Sequence, residues 1–549
     1  MIKFIIKEVP TLILRDSFKA IVYLNDIMMR LLFIFLLLFP ILLLGQRKKP
    51  RDTSAVITQP NRLEFEKEGN QSEFYVVSGG VDGLLVVEET NDAAPGGGYV
   101  WKLHMIDTAF NIVWSRSDNI PANGSFIGHE YFDGNFYLLF NKNFYRSQDL
   151  LVYQLHAQSQ ELKTYELTTV FPIEITHFES VGETILLAGN ANFRPVVITY
   201  NINERIPKVV PGFYDNKNDI LDLVVDERTK LFTVIMSQKM RNKRYTIRVK
   251  TFNDRGDIIQ DNFLDPGEKK SLIDGATTTF SGGLQYLAGT HSRKSLQYSQ
   301  GFYLSKFING QQQFNKYYPF AELHNFWEHL NPKREERILR KIERKKEKGK
   351  VKKFNYRLLV HEILERDDRY ILIGEAYYPR YNYSNSNNGF GHYGYRFNQT
   401  SPLRNPYFLG YKYTHAVVFG FDRNCNIIWD HTFRIEDIQS YSLEENVAVS
   451  GSGEKVVLMY LEENEIRSKV IEGDKVIEGR TFNPVRLSFE SDEVRTKDPS
   501  LEKIEEWYGE TLYAYGEQSI KNDLAVNGKI NRRVFYINKI RYNLAVHPN

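Results

Sequence analysis

Cysteine is nearly absent. Cys425 stands alone among 549 residues, so neither an intramolecular disulfide nor a multi-cysteine zinc site can form. A single thiol beside an apolar strand reads as a small buried hydrophobe rather than a nucleophile. An excess of one charge is missing too. Lys and Arg total 71 against 68 Asp and Glu, which argues against a basic nucleic-acid face spread over the domain. Gly (36) and Pro (19) are at ordinary levels, which excludes collagen-like and Pro-rich disordered chains. No Gly-x-Ser-x-Gly elbow, Walker loop or dinucleotide fingerprint occurs in the required context. The twelve His are dispersed, and His324 and His329, five apart, point to different faces of a helix. Asp215, Asp219 and Asp222 cluster without the alternating ladder of a calcium loop and read as an ordinary acidic turn. No metal site and no cofactor is expected.

Aromatic residues, by contrast, reach 14%, with 34 Tyr and 36 Phe. Such side chains suit a pleated, half-buried surface, so the composition points to β structure. A repeat confirms the direction. A polar turn followed by an apolar strand occurs eight times. The turns are Asp82-Gly83, Asp133-Gly134, Gly182, Lys230, Gly282-Gly283, Asp368-Arg369, Gly453 and Gly509. Most are separated by roughly 46 to 56 residues, and the two intervals of about 85 contain insertions. That period suits propeller blades of about 40–50 residues, which bury their faces only by stacking around an axis.

A second signature places Asp107 four residues before Asn111 and seven before Trp114; Asp422, Asn426 and Trp429 repeat that spacing. Strand, polar turn and strand describe a hairpin with an Asx-capped loop. Trp114 and Trp429 are expected to pack between blades. The fold expected is all-β: a single seven- or eight-bladed propeller over residues 66–549, with the strand-like end Arg533 to Tyr542 closing the ring.

Two insertions interrupt it. Residues 321–353 carry Phe326, Trp327 and Leu330, then Pro332 as a helix opener, strong helix formers and a terminating Gly349. Between Lys333 and Lys353 there are twelve basic and four acidic residues. One reading is a solvated helix with pairs such as Glu336 and Arg340. The other is an arm for an anionic surface, using Lys333, Arg334, Arg337, Arg340, Lys341, Arg344 and Lys345. Residues 377–413 are Tyr-rich, and Tyr-rich loops with Ser, Gly and Asn make adaptable contact surfaces. Candidate partner-binding residues are Tyr377, Tyr378, Arg380, Tyr381, Tyr383, Tyr393, Tyr395, Arg396, Tyr407 and Tyr411. An aromatic flap folded over its own propeller is the competing reading.

At the amino end, Leu31 to Leu44 form an apolar run after Arg30, shorter than the ~20 residues of a spanning helix but suited to a secretory signal core. Residues 1–45 read as a leader with translation starting at Met28 or Met29, and 46–65 as a flexible mature terminus. An uncleaved anchor is the rival reading. Export to the periplasm or outer-membrane surface is expected.

The turn–strand repeat, the strand-Asp-turn-Asn-x-x-Trp hairpin and the leader ending in Gly45-Gln46 together resemble the degenerate propellers of exported Bacteroidota-type proteins. The resemblance implies an accessory or binding protein of an envelope or secretion complex, and transfers no catalytic residue. The expected function is thus non-enzymatic binding or scaffolding in a cell-envelope assembly. Its partner would be an envelope protein complex; a glycan or peripheral contact with an anionic surface remains open, and nucleic acid is not expected. The alternative is a glycan-directed hydrolase or lyase using carboxylates on the propeller face, for which strand ends offer Glu130, Glu375 and Glu517.

Overall fold

The computed structural model describes residues 52–67, 72–95, 98–120, 125–142, 148–294, 297–366, 369–382, 407–497, 501–526 and 529–543. The leader and its apolar run lie outside the described residues, as do Tyr383, Tyr393, Tyr395 and Arg396.

Eight antiparallel sheets follow one another along the chain, at residues 73–120, 125–168, 174–209, 218–263, 271–319, 357–440, 448–484 and 492–542. They are numbered here as blades 1 to 8. First strands of successive blades meet one another, as in Ser125–Phe132 against Glu174–Val181 and Glu174–Val181 against Asn218–Asp226. This is an eight-bladed propeller, the larger of the two blade numbers expected.

The turns explain why the repeat was visible. Each of the eight turn signatures joins the first strand of a blade to its second. These corners demand left-handed backbone: Asp133 has φ 45°, Gly182 59°, Lys230 55°, Gly453 58° and Gly509 53°. Gly and Asp tolerate that conformation best, so the same few residue types recur. The second signature is the hairpin between third and fourth strands. There Asn111 N–H donates to Asp107 Oδ1 at 2.7 Å and Asn426 N–H to Asp422 Oδ1 at 2.7 Å. Cys425 occupies the left-handed position of that second loop (φ 56°) and is buried; burial pushes its thiol up to about 12, so it is inert packing.

The apolar faces meet in eight clusters, one per junction. Trp101, Trp114, Phe136 and Phe140 fill the junction of blades 1 and 2, and Trp429, Phe433, Leu458 and Tyr460 that of blades 6 and 7. The two tryptophans therefore pack between blades. Blade 8 meets blade 1 through Trp507, Tyr513, Phe535, Val76 and Leu84, which completes the ring.

Closure is made by the amino-terminal segment. Ile57–Thr58 and Arg62–Glu66 pair with Lys529–Tyr542 as the outermost strands of blade 8. The flexible terminus expected at 46–65 is thus, from residue 57 on, part of the sheet. Its polar residues hid this, because most of their partners lie more than 400 residues away. Arg62 donates to Gln518 Oε1 at 2.7 Å and Asn538 Oδ1 at 3.1 Å. Arg532 binds Asp492 through both terminal nitrogens, at 3.0 and 2.6 Å, and Glu64 at 3.3 Å.

The basic insertion contains helix α1, Pro332–Lys346, capped by Asn331 Oδ1 accepting from Arg334 N–H at 3.0 Å. Gly349 takes φ 61° beyond its end, and Arg340 pairs with Glu336 at 2.9 Å as anticipated. No α1 residue is buried; Ile338 and Ile342 rest on the cluster containing Phe326 and Trp327. Among the described residues no helix is long and apolar enough to cross a membrane.

Because Asp492 is fully buried against Arg532, Arg532→Ala strands a buried carboxylate. We expect a loss of about 3–5 kcal/mol, read from denaturant unfolding. A change below about 1 kcal/mol would show that this fastening is dispensable.

Candidate functional site

The propeller's first strands face one another around its axis, so whatever they present inward shares one space. In blades 2 to 5 each first strand carries a bulge. Ile127, Thr176, Leu221 and Ile273 have no residue opposite them in the second strand. A bulge adds one residue, sharpens the twist and re-aims the side chains that follow. Glu130 and Glu179 each lie three positions after it, and Asp222 and Asp274 one position after. In blade 6 the first strand breaks between Arg357–Val360 and Leu364–Arg366, and Glu362 lies in the break.

The result is a cavity of about 470 Å³ lined by seven carboxylates: Glu130, Glu179, Asp222, Glu227, Asp274, Glu362 and Glu445. They come from blades 2 to 7, and among the described residues no Lys, Arg or His lines the wall. The volume is that of a small-ligand site. Among the described residues no three acidic, His or Cys side chains converge tightly enough to hold a metal ion.

Burial in a space of one charge sign has a predictable consequence. Glu130 and Glu179 hydrogen-bond to each other, and both are pushed up, first by desolvation. For Glu179 the charges of Glu130 and Asp222 add to it. Two ionised carboxylates about 4 Å apart repel by about 4 kcal/mol at an effective dielectric near 20, so the pair keeps a proton. Asp274 is pushed up to about 6 by burial, against two backbone donors: Gly275 N–H at 2.9 Å and Val360 N–H at 3.2 Å. Glu227, Glu362 and Glu445 are raised as well, in each case first by desolvation.

Behind the wall, His361 sits between Glu375 (Nε2 to Oε1, 3.0 Å) and Glu445 (Nδ1 to Oε2, 3.5 Å). Burial opposes its charge, but the adjacent Glu375 carboxylate and the other carboxylates around it outweigh that and raise its pKa. Glu375 is anchored by the N–H groups of Asn446 and Val447, both at 2.8 Å. It thereby holds the segment that carries Glu445.

Of the carboxylates noted in the sequence, Glu130 reaches the cavity and Glu375 supports it. Glu517 is elsewhere, paired with Lys67 and Arg533. Asp222 belongs to the wall, whereas Asp215 caps its own turn through Lys217 N–H at 3.1 Å. Glu179, Glu227, Asp274, Glu362 and Glu445 went unnoticed, because the bulges behind Glu179 and Asp274 and the connections that place the other three leave no mark in a single sequence.

The aromatic insertion separates into two parts. Arg369–Tyr381 and Phe408–Asp422 are long paired strands of blade 6. Within them Tyr377 is buried with Tyr413 in the junction of blades 6 and 7, and Tyr411 packs against both. Tyr377 was expected to meet a partner; its ring is core. Arg380 hydrogen-bonds Gln439 at 2.9 Å, and Tyr381 contacts Phe408. Tyr378 and Tyr407 are exposed. The basic residues of α1, from Lys333 to Lys345, are spread over an exposed helix and do not approach the cavity wall.

No protein-family model matches the chain, and no curated protein matches it. Several solved structures are similar in fold. A prolyl endopeptidase aligns over 83% of this chain at 10% identity and TM-score 0.37; the chain spans about half (54%) of that enzyme. The polysaccharide lyase Uly1 aligns over 82% of this chain and 94% of its own, at 10% identity and TM-score 0.35. The β-propeller domain of the Trilobed protease from Pyrococcus furiosus aligns over 75% and 93%, at 8% identity and TM-score 0.33. At these scores the likeness carries no argument about activity.

Glu179 offers a check on the site's electrostatics. Its folded-state pKa is raised above the ordinary carboxylate value of 4.5, so the native state holds more protons than the unfolded chain between them. Stability from this group is therefore greatest below about 4.5 and falls as pH rises toward the folded value. Glu179→Gln removes the fall. Its melting temperature is expected to match the parent at pH 5 and to exceed it by about 2 °C or more at pH 8. A difference independent of pH would refute the assignment.

Proposed function

We propose that the protein is a glycan-directed hydrolase working in the central channel by carboxylate acid–base chemistry. One observation carries the reading: Glu130, Glu179 and Asp274 line one ligand-sized cavity, with Asp274 held by two backbone N–H groups and Glu179 set against Glu130. Burial and the neighbouring Glu130 push Glu179 up to about 9, and Asp274 reaches only about 6. Titratable neighbours whose environments separate their pKa values suit the two halves of acid–base catalysis. Glu179 is assigned as the acid that protonates a leaving oxygen. Glu130, in hydrogen-bond contact with it, is closer than the ~5 Å or more separating the two reacting carboxyls of glycosidases, so it is a positioning residue that keeps the proton on Glu179. Asp274, held by two backbone N–H groups, is assigned as the base or nucleophile.

Hydrolysis is preferred over lyase chemistry on electrostatic grounds. Elimination from a uronate sugar calls for a group that neutralises the sugar's carboxylate, and this wall has carboxylates where that group would stand. A polyanionic chain would be repelled.

The test uses the full chain on a panel of oligosaccharides, with reducing-end release as the readout. Glu179→Gln and Asp274→Asn should each lower kcat by about 10²–10⁴ without lowering the melting temperature at pH 5. The acidic limb of the pH–rate profile should lie near pH 6 and vanish in Asp274→Asn. Cleavage undiminished in both variants would refute the proposal.

A second reading is favoured by the exposure of Tyr378 (46%) and Tyr407 (52%) at the tip of the blade 6 hairpin. It is attachment to an envelope protein through that tip, with export as its corollary. Deleting 383–406 should then abolish co-purification of a stoichiometric partner and leave the melting temperature largely unchanged. Retained co-purification would remove the tip from consideration.

A further inference from the structure

We infer that the channel takes a positively charged sugar chain, one whose units carry free amino groups. This rests on the hydrolase reading above and adds the substrate's charge to it.

The wall has little to balance its own charge. Among the described residues, seven carboxylates line the cavity without one basic side chain. The basic groups near it stand behind it: His361 is held between Glu375 and the wall residue Glu445, and His177 lies close to Asp222. An ionised carboxylate is an acceptor only. A ligand of hydroxyl groups alone would leave the repulsion among the carboxylates in place. An ammonium removes it, because it brings three donors and a charge of the opposite sign.

One hydroxyl points the same way independently of charge. Ser180 lies in the wall, is 3% exposed, and its Oγ has no hydrogen-bond partner. Buried hydroxyls are nearly always satisfied, so an unsatisfied one in a cavity wall marks where a ligand's polar group belongs. Ser180 Oγ can accept from an ammonium while donating to a carboxylate.

The distribution of the acids selects between one ion and a chain. They come from six blades, and among the described residues none of them group tightly enough for a metal. Several separated charges fit a ligand with several separated ammonium groups. Phe132, Leu223 and Val360 stand between the carboxylates and can cover the C–H faces of sugar rings.

Isothermal titration calorimetry on the full chain tests this with two oligomers of equal length, one of glucosamine and one of N-acetylglucosamine. They share a backbone and differ in charge. At pH 7 the glucosamine oligomer should bind at least about tenfold more tightly, a difference of about 1.4 kcal/mol, and weaken as salt is raised. Glu362→Gln and Glu445→Gln should each weaken the glucosamine oligomer several-fold and leave the acetylated one unchanged. Equal or tighter binding of the acetylated oligomer overturns the inference. So does tighter binding of spermidine, which carries the charge without the sugar. If the glucosamine oligomer binds as described and is not cleaved, the inference stands and the hydrolase reading falls. If the acetylated oligomer binds better and is cleaved, the hydrolase reading stands and this inference falls.

Discussion

Burial of apolar blade faces against one another around a closed circle is the constraint from which the rest follows. A four-stranded sheet of this chain has two apolar faces, and neither is covered within its own blade. Val76, Leu84 and Val86 of blade 1 meet blade 8, while Val77, Leu85 and Val87, one position along, meet blade 2. The strand period of two sends alternate residues to opposite neighbours, so both sets must be apolar. Opening the ring at any junction would expose two such faces at once. That is why the ring is fastened across the length of the chain, by strands at 57–66 that complete blade 8 and by Glu64 reaching Arg532.

The same constraint creates the channel. Once eight first strands are held side by side, their inward-facing side chains share a confined space that no local sequence feature can relax. Bulges at the same stage of blades 2 to 5 turn acids into it. In an isolated blade Glu130 or Glu179 would be a solvated carboxylate. In the ring they are desolvated together and share a proton. The chemistry is therefore a property of closure. Helix α1 and the strand ends at Tyr381 and Phe408 contribute no residue to the wall.

This division also explains what the sequence disclosed. The first-to-second strand turns were legible because left-handed backbone restricts residue choice at Gly182, Lys230 and Gly453, and local rules act on local residues. The Asp107–Asn111 loop and the Pro332 to Gly349 helix were legible for the same reason. The wall was not. Glu179 and Asp274 look like any exposed acid in their strands, because a bulge shows only in the register with a partner strand. The amino-terminal strands were hidden likewise: Arg62, Glu64 and Glu66 look solvent-bound until Lys529–Tyr542 is placed beside them. Tyr377 misled in the opposite direction. A Tyr-rich stretch advertises a contact surface, yet this ring belongs to the strand before the loop and packs inward.

A wall of seven carboxylates is costly to keep. A raised pKa means that folding holds the ionised acid in a worse place than water, by about 1.4 kcal/mol for each tenfold gain in proton affinity. Nothing in the packing requires it, since Val224 and Ala276 occupy equivalent positions after the bulge in blades 4 and 5 without any charge. The fold thus tolerates an aliphatic residue at this place, and the acids at Glu130 and Glu179 are not there to support the ring. Functional sites concentrate such unfavourable groups because ligands and transition states supply the compensating interaction that the protein withholds. The imbalance itself therefore points to the channel, rather than the exposed aromatic tip, as the place where this propeller acts.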